Sequence, residues 1–200
     1  MGPEKIIRKY IRGILSEEFK LSGKELTLSE PYDTIKTIKI GNRVVYVIFG
    51  DIDYYKNKQA ILAIKRKSNE LILDGRSYAD FLKEFRKRFY SVSNLSDSDL
   101  IVSVETTCPV TTEMAGILQI PFIKNGFKKI DPSFKMIDIN DFGQRMSISN
   151  LFNLDFEFNE NDTICILDDF TTSGSTFKNA FEKLPNSVKA FGVCLFKLNS

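Results

Sequence analysis

Histidine is missing altogether from the 200-residue chain. Without an imidazole there is no Ser-His or Cys-His nucleophile pair, no imidazole general base and none of the usual zinc sites. Any chemistry must come from carboxylates, hydroxyls, lysines, arginines, backbone amides or a hard metal. Cysteine is scarce as well: Cys108, Cys165 and Cys194 stand apart, form no CxxC pair, and read as free thiols of a reducing compartment. Long apolar runs are lacking, and the first residues carry charges where a secretory leader needs an apolar stretch. A cytoplasmic protein with no membrane partner is expected. Nor does charge of one sign accumulate. With 28 Lys+Arg against 26 Asp+Glu the formal net charge is +2, which gives no signal for nucleic acid.

What is present suits one globular domain with a real core, or a domain plus a small appendage, at 42% hydrophobic residues. Residues 3–21 place Ile6, Ile7, Tyr10, Ile11, Ile14, Leu15 and Phe19 at helical spacing. "DTIKTIKIGNRVVYVIFG" reads as two strands joined at Gly41-Asn42, a two-residue hairpin signal. Helical period returns over residues 57–67 and 77–90. From Asp99 the character changes. "DLIVSVE" is a short continuous apolar run of the kind found in a strand covered on both faces, "TTEMAGIL" is helical, and "IPFI" is a further strand. A long segment of weak period follows, then "TICILDD" as a buried strand, a helix over 175–184, and "VKAFGVCLFKL" as a last strand. The reading is an α/β fold: a doubly wound, mainly parallel sheet with flanking helices, residues 99–200 forming the core and 1–90 a small hairpin-and-helix addition.

In such sheets ligands bind at the carboxyl ends of the strands. There lies "TICILDDFTTSGSTF", Thr163 to Phe177, in which an apolar strand runs into two carboxylates and then into hydroxyl-bearing residues around one glycine. Backbone amides at a helix start favour an anion, Gly174 permits close approach, and Thr172, Ser173, Ser175 and Thr176 can donate to phosphate oxygens. No lysine completes a GxxxxGK[ST] nucleotide loop. Asp168 and Asp169 would repel one another unless a cation or ligand hydroxyls shared their charge. Acids for vicinal hydroxyls beside a phosphate cradle describe a ribose 5-phosphate site. Two blander readings stand beside it: a helix N-cap accounts for Thr172 or Ser173 alone, and paired acids at a strand end also suit a phospho-acceptor.

"ICILDDFTTSGST" resembles, over all thirteen positions, the phosphoribosyl-pyrophosphate (PRPP) signature of type I phosphoribosyltransferases. Within them the chain is most similar to ComF-like phosphoribosyltransferases, through "FGDIDYYKNKQAILAIKRK", "DLIVSVE" and "FGQRMSISNLFNLDFEF". The resemblance spans Tyr46 to Leu198 and implies the type I phosphoribosyltransferase fold with a hood-like N-terminal addition. It implies that Asp168 and Asp169 bind the ribose hydroxyls, that Thr172, Ser173, Gly174, Ser175 and Thr176 bind the 5-phosphate, and that Glu105, Thr106 and Thr107 form the pyrophosphate loop. Lys124 to Arg145 would be the mobile loop that closes over the site, and Arg145 would be catalytic together with Asp168 and Asp169. Magnesium bound with PRPP is the implied cofactor, and a homodimer the implied assembly.

The activity implied is phosphoribosyl transfer, a glycosyltransferase reaction of nucleotide metabolism, from PRPP or a related ribose 5-phosphate compound to a base or amine. The alternative is a non-catalytic PRPP- or nucleotide-sensing protein of the same fold. "ETTCPVTTEM" favours the alternative, because it carries Glu105 where ComF-like chains have arginines, although Glu105 equally suits a cap of the following helix. Thr172 stands where 6-oxopurine enzymes place an acid, which points away from hypoxanthine and guanine. Lys124, Lys128, Lys129 and Lys135 each read as phosphate-reaching or merely solvated, and Lys65, Arg66 and Lys67 as a helix end suited to positive charge.

Overall fold

The computed structural model describes residues 25–26, 34–65, 72–73, 76–106, 108–133, 139 and 141–199. The helix expected over 3–21, and Arg66, Lys67, Thr107 and Lys135, lie outside these residues. In chain order the elements begin with β1 (Glu25–Leu26), β2 (Lys36–Ile40), β3 (Arg43–Val47), β4 (Asp51–Asp53), α1 (Lys58–Lys65), β5 (Ile72–Leu73), β6 (Arg76–Ser77), α2 (Tyr78–Ser91) and α3 (Ser93–Ser96). They continue with β7 (Leu100–Val104), α4 (Pro109–Leu118), β8 (Phe122–Lys129), α5 (Phe142–Ser147), β9 (Phe152–Leu154), β10 (Ile164–Leu167), β11 (Phe170–Thr171), α6 (Ser175–Phe181), β12 (Ala190–Cys194) and β13 (Phe196–Asn199).

The central sheet runs β2-β3-β12-β10-β7-β8-β9, with β3, β12, β10, β7 and β8 mutually parallel and β2 and β9 antiparallel at its edges. Successive side chains of a strand point to opposite faces, so a run such as Ile164-Cys165-Ile166-Leu167 must be covered on both. Cys165 and Leu167 pack with α1, α2 and α4 on one face. Ile164 and Ile166 pack with Phe177, Ala180 and Phe181 of α6 on the other. The fold is thus α/β, with helices on both faces of a mostly parallel sheet. Helix α6 lies very close to β12: a Cβ on Gly192 would stand 2.6 Å from Phe177 Cδ1 and 2.8 Å from Val45 Cγ2. Among the described residues no helix is long and apolar enough to cross a membrane.

Three expectations change. The hairpin does turn at Gly41, whose φ is 62°, but it is no addition on top of the core. Its second strand pairs parallel with β12 and is a full member of the central sheet, because "RVVYV" is apolar on both faces and needs cover on both. The final strand divides at Leu195. Beyond it β13 pairs in parallel with β4 and β11 in a separate three-stranded sheet. The segment from Lys124 to Arg145 is also not one long loop. Its first part belongs to β8, continued past Asn125 (φ 57°) by a register shift against β7 and held by antiparallel β9.

Candidate functional site

From β7 the chain crosses to β8 on one side, and β10 lies on the other side of β7. The connections leaving β7 and β10 therefore diverge, and at such a switch of direction a crevice opens at the carboxyl ends of the strands. A cavity of about 500 Å³ lies there, walled by Glu105 and Thr106 after β7 and by Asp168, Asp169, Thr171 and Thr172 after β10.

Asp168 and Asp169 follow β10 directly, and each is only 7% exposed. The backbone locks their orientation. Asp168 Oδ1 accepts from the Asp169 amide at 2.9 Å, and Asp169 Oδ1 accepts from the Phe170 amide at 2.7 Å. The Asp168 and Leu195 amides donate to the Val193 and Asp169 carbonyls, tying the corner to β12. The remaining Asp169 oxygen, Oδ2, faces Lys65 Nζ at 3.4 Å, and that ammonium also lies 5.1 Å from the centre of the Phe170 ring. Burial, reinforced by the charge of Asp169, pushes the Asp168 carboxyl well above the ordinary carboxylate range. For Lys65 burial acts downward, but Asp169 and Asp168 together outweigh it and hold the ammonium above its ordinary value.

The hydroxyl-rich turn divides its work. Thr171 Oγ1 accepts from the Gly174 amide at 3.1 Å, and Ser173 Oγ accepts from the Ser175 amide at 3.3 Å and donates to or accepts from Ser175 Oγ at 2.9 Å. Gly174 takes φ 82°, a left-handed conformation that a side chain would strain, and a Cβ there would stand 3.1 Å from Ile40 Cδ1. Of the five residues that the resemblance assigns to a phosphate, Thr172, Ser175 and Thr176 line the cavity. Ser173 and Gly174 shape the turn instead. Thr171, absent from that set, lines the cavity and closes the turn.

Arg145 is brought to the same place. Asp141 caps α5 by accepting from the Gln144 amide at 2.6 Å, and Arg145 then donates through one terminal nitrogen to Thr172 Oγ1 at 2.8 Å and through Nε to the Ile139 carbonyl. A residue that sequence reasoning missed, Asn179 of α6, secures the chain after α5. Fully buried, it accepts from the Leu151 amide at 3.1 Å and donates to the Ile148 and Ser175 carbonyls at 3.0 and 2.9 Å. One side chain thereby joins the segment carrying Arg145 to the first turn of the helix behind the hydroxyl-rich loop. No local pattern marks it, since Ile148 and Leu151, which it ties to α6, are remote in sequence.

The pyrophosphate-loop residues are brought there in part. Glu105 and Thr106 line the cavity, but the Glu105 carboxylate accepts from the Lys129 amide at 2.6 Å, so it caps the end of β8 and not a helix. Thr106 Oγ1 accepts from the Cys108 amide at 3.0 Å. Among the lysines, Lys128 is paired with Asp155, Lys124 is exposed on β8, and Lys129 reaches the cavity wall. Among the described residues Lys65, read as a helix end, is the basic residue that pairs with the acids. The one sequence signal for it was the run of basic residues at the end of α1.

No protein-family model matches the chain. No curated protein matches it either. The assignment of chemistry therefore rests on the site itself. It combines two buried acids, hydroxyls around a tight turn, and three basic side chains, Lys65, Lys129 and Arg145, about one crevice. Among the described residues no group of three or more His, Cys, Asp or Glu side chains could hold a metal ion by itself. The acids nevertheless offer hard oxygen donors. Magnesium commonly takes only one or two carboxylates, with substrate phosphates and water completing its shell, so the donor set fits an ion that arrives with a phosphorylated ligand.

Proposed function

We propose that the chain binds PRPP and transfers its phosphoribosyl group to a base or amine, in a fold of the type I phosphoribosyltransferase kind closest to the ComF-like members. The observation that carries this reading is the juxtaposition at the switch crevice of the Asp168-Asp169 pair with the Thr171–Thr176 turn, to which Arg145 is bonded through Thr172. Asp168 and Asp169 accept from the 2- and 3-hydroxyls of the ribose. Thr172, Ser175 and Thr176 take the 5-phosphate.

Reaction breaks the bond between the anomeric carbon and the pyrophosphate oxygen and forms one from that carbon to the acceptor nitrogen, whose proton is then lost. Positive charge grows on the sugar and negative charge on the leaving group. The fixed carboxylates stabilise the first, and basic side chains lining the crevice stabilise the second without reorganising at the moment of reaction. Asp168 and Asp169 would help to hold magnesium bound to PRPP, which would supply further neutralisation of the pyrophosphate. Ile130, Ile148 and Leu151 supply the apolar part of the wall beside these polar groups.

Glu105 favours a second reading, a sensor that binds PRPP without turnover, because a carboxylate faces the cavity where the leaving polyanion would depart. One experiment separates the two. PRPP with magnesium is titrated calorimetrically into the wild type and into Asp168→Asn/Asp169→Asn, while pyrophosphate release is followed with candidate acceptors. Binding lost in the double variant together with release in the wild type supports the transferase, binding without release supports the sensor, and no binding by the wild type refutes both.

A further inference from the structure

The turn after β7 brings no cation of its own to the crevice. Glu105 and Thr106 are its described cavity residues, and the Glu105 carboxylate is committed to the Lys129 amide. A departing polyanion there needs positive charge from another element. Helix α1 ends against this turn, since Cys108 Sγ donates to the Lys65 carbonyl at 3.2 Å. The Lys65 side chain then spans from the β7 turn towards the β10 acids, reaching Asp169 Oδ2 at 3.4 Å. That separation exceeds the 2.7–2.9 Å, roughly, of a tight charge-assisted bond, and an ammonium has three donors. Exchange of Asp169 for a diphosphate oxygen is therefore open to Lys65 once ligand hydroxyls take its place at the carboxylate. Arg145 is engaged on the opposite side, with Thr172 of the hydroxyl-rich turn.

We propose that Lys65 is the cation that receives the pyrophosphate group, giving up Asp169 for a diphosphate oxygen as the sugar hydroxyls take Lys65's place at the carboxylate. The proposal rests on the reading of the site given above and assigns to α1 a role that the β7 turn does not fill. Lys65 is charged at neutral pH, because the pull of Asp169 and Asp168 outweighs its burial. It lies in the cavity wall with a third of its side chain exposed, so its replacement leaves the core intact.

The test compares two fragments of the ligand, magnesium pyrophosphate and ribose 5-phosphate, titrated separately into the wild type and into Lys65→Met, Lys65→Arg, Lys129→Met and Asp168→Asn. Lys65→Met is expected to weaken pyrophosphate by about 10- to 100-fold, the usual worth of a bond to a charged group, and ribose 5-phosphate by less than about threefold. Lys65→Arg is expected to restore most of the pyrophosphate affinity. Equal loss of both ligands in Lys65→Met, no loss of pyrophosphate, a wild type that binds no pyrophosphate, or a loss confined to Lys129→Met each overturns the proposal. Failure of the wild type to bind ribose 5-phosphate, with pyrophosphate still dependent on Lys65, overturns the PRPP reading and leaves the anion site. Ribose 5-phosphate binding that is abolished by Asp168→Asn, with pyrophosphate indifferent to Lys65, does the reverse.

Discussion

Replacing Asn179 by alanine tests how the crevice is kept closed. The side chain is fully buried and makes three hydrogen bonds, to the Leu151 amide and to the Ile148 and Ser175 carbonyls. A net bond contributes about 1 kcal/mol, so the upper estimate is about 3 kcal/mol. Ile148 and Leu151 are only half-buried, and water can recover part of what they lose. The expected loss is therefore about 2 kcal/mol, a fall of about 4–8 °C in Tm for a chain of this size. Urea unfolding with an unchanged slope would measure it. Hydrogen exchange gives the local signature, because the Leu151 amide should lose protection before the core strands β7 and β10 do. Arg145, freed with this segment, should leave Thr172, and PRPP affinity should fall about tenfold with the loss of one charged contact. A variant that loses under about 0.5 kcal/mol, less than a single ordinary bond, and keeps Leu151 protected would refute the brace.

The folded form of Asp168 holds its proton more tightly than an unfolded carboxyl, first through burial and then through Asp169. Its contribution to stability is thus present at low pH and lost as pH rises from about 4 through the raised folded value. Asp168→Asn, which removes that titration, should be more stable than the wild type at pH 7 and should lose this advantage near pH 4. Equal stability at pH 7 in urea titrations would exclude the effect. Gly192→Ala pushes a methyl to within 2.6 Å of the Phe177 ring and 2.8 Å of Val45. It should cost about 1–3 kcal/mol, with partial recovery when Phe177→Leu is added. Arg43 donates to the carbonyls of Phe181, Leu184, Pro185 and Val188 at the end of α6 and lies 5.4 Å from the Phe181 ring centre. Arg43→Met should cost about 2–3 kcal/mol. Arg43→Lys should recover less than half, because a single ammonium cannot span several carbonyls, and full recovery in calorimetric unfolding would exclude the fork.

Elements whose signal is contiguous were legible from the sequence. The runs "LIVSV" and "ICIL" became β7 and β10, and the helical spacings over 57–67 and 77–90 became α1 and α2. The hydroxyl-rich turn was legible for the same reason, since strand, acids, glycine and helix start fall within fifteen consecutive positions. The boundaries that failed depend on partners. β8 runs on through "NGFKK" because β9, some twenty residues later, pairs with it. The last strand breaks because β13 finds β4 and β11 in place of the central sheet.

By itself, then, the sequence determined the alternation of strands and helices and the acid pair beside its turn, because side-chain period and backbone propensity act over a few neighbouring residues, and its lack of histidine excluded imidazole chemistry. Tertiary structure alone decided that the hairpin joins the central sheet, that Ser173 turns inward while Thr171 faces the cavity, that Lys65 lines the crevice with the acids, and that Asn179 braces the segment carrying Arg145 from behind. Those contacts join residues far apart in the chain; Lys65, for instance, ends α1, whereas Asp169 follows β10. Burial and hydrogen-bond satisfaction fix them only once the sheet order has brought their elements together.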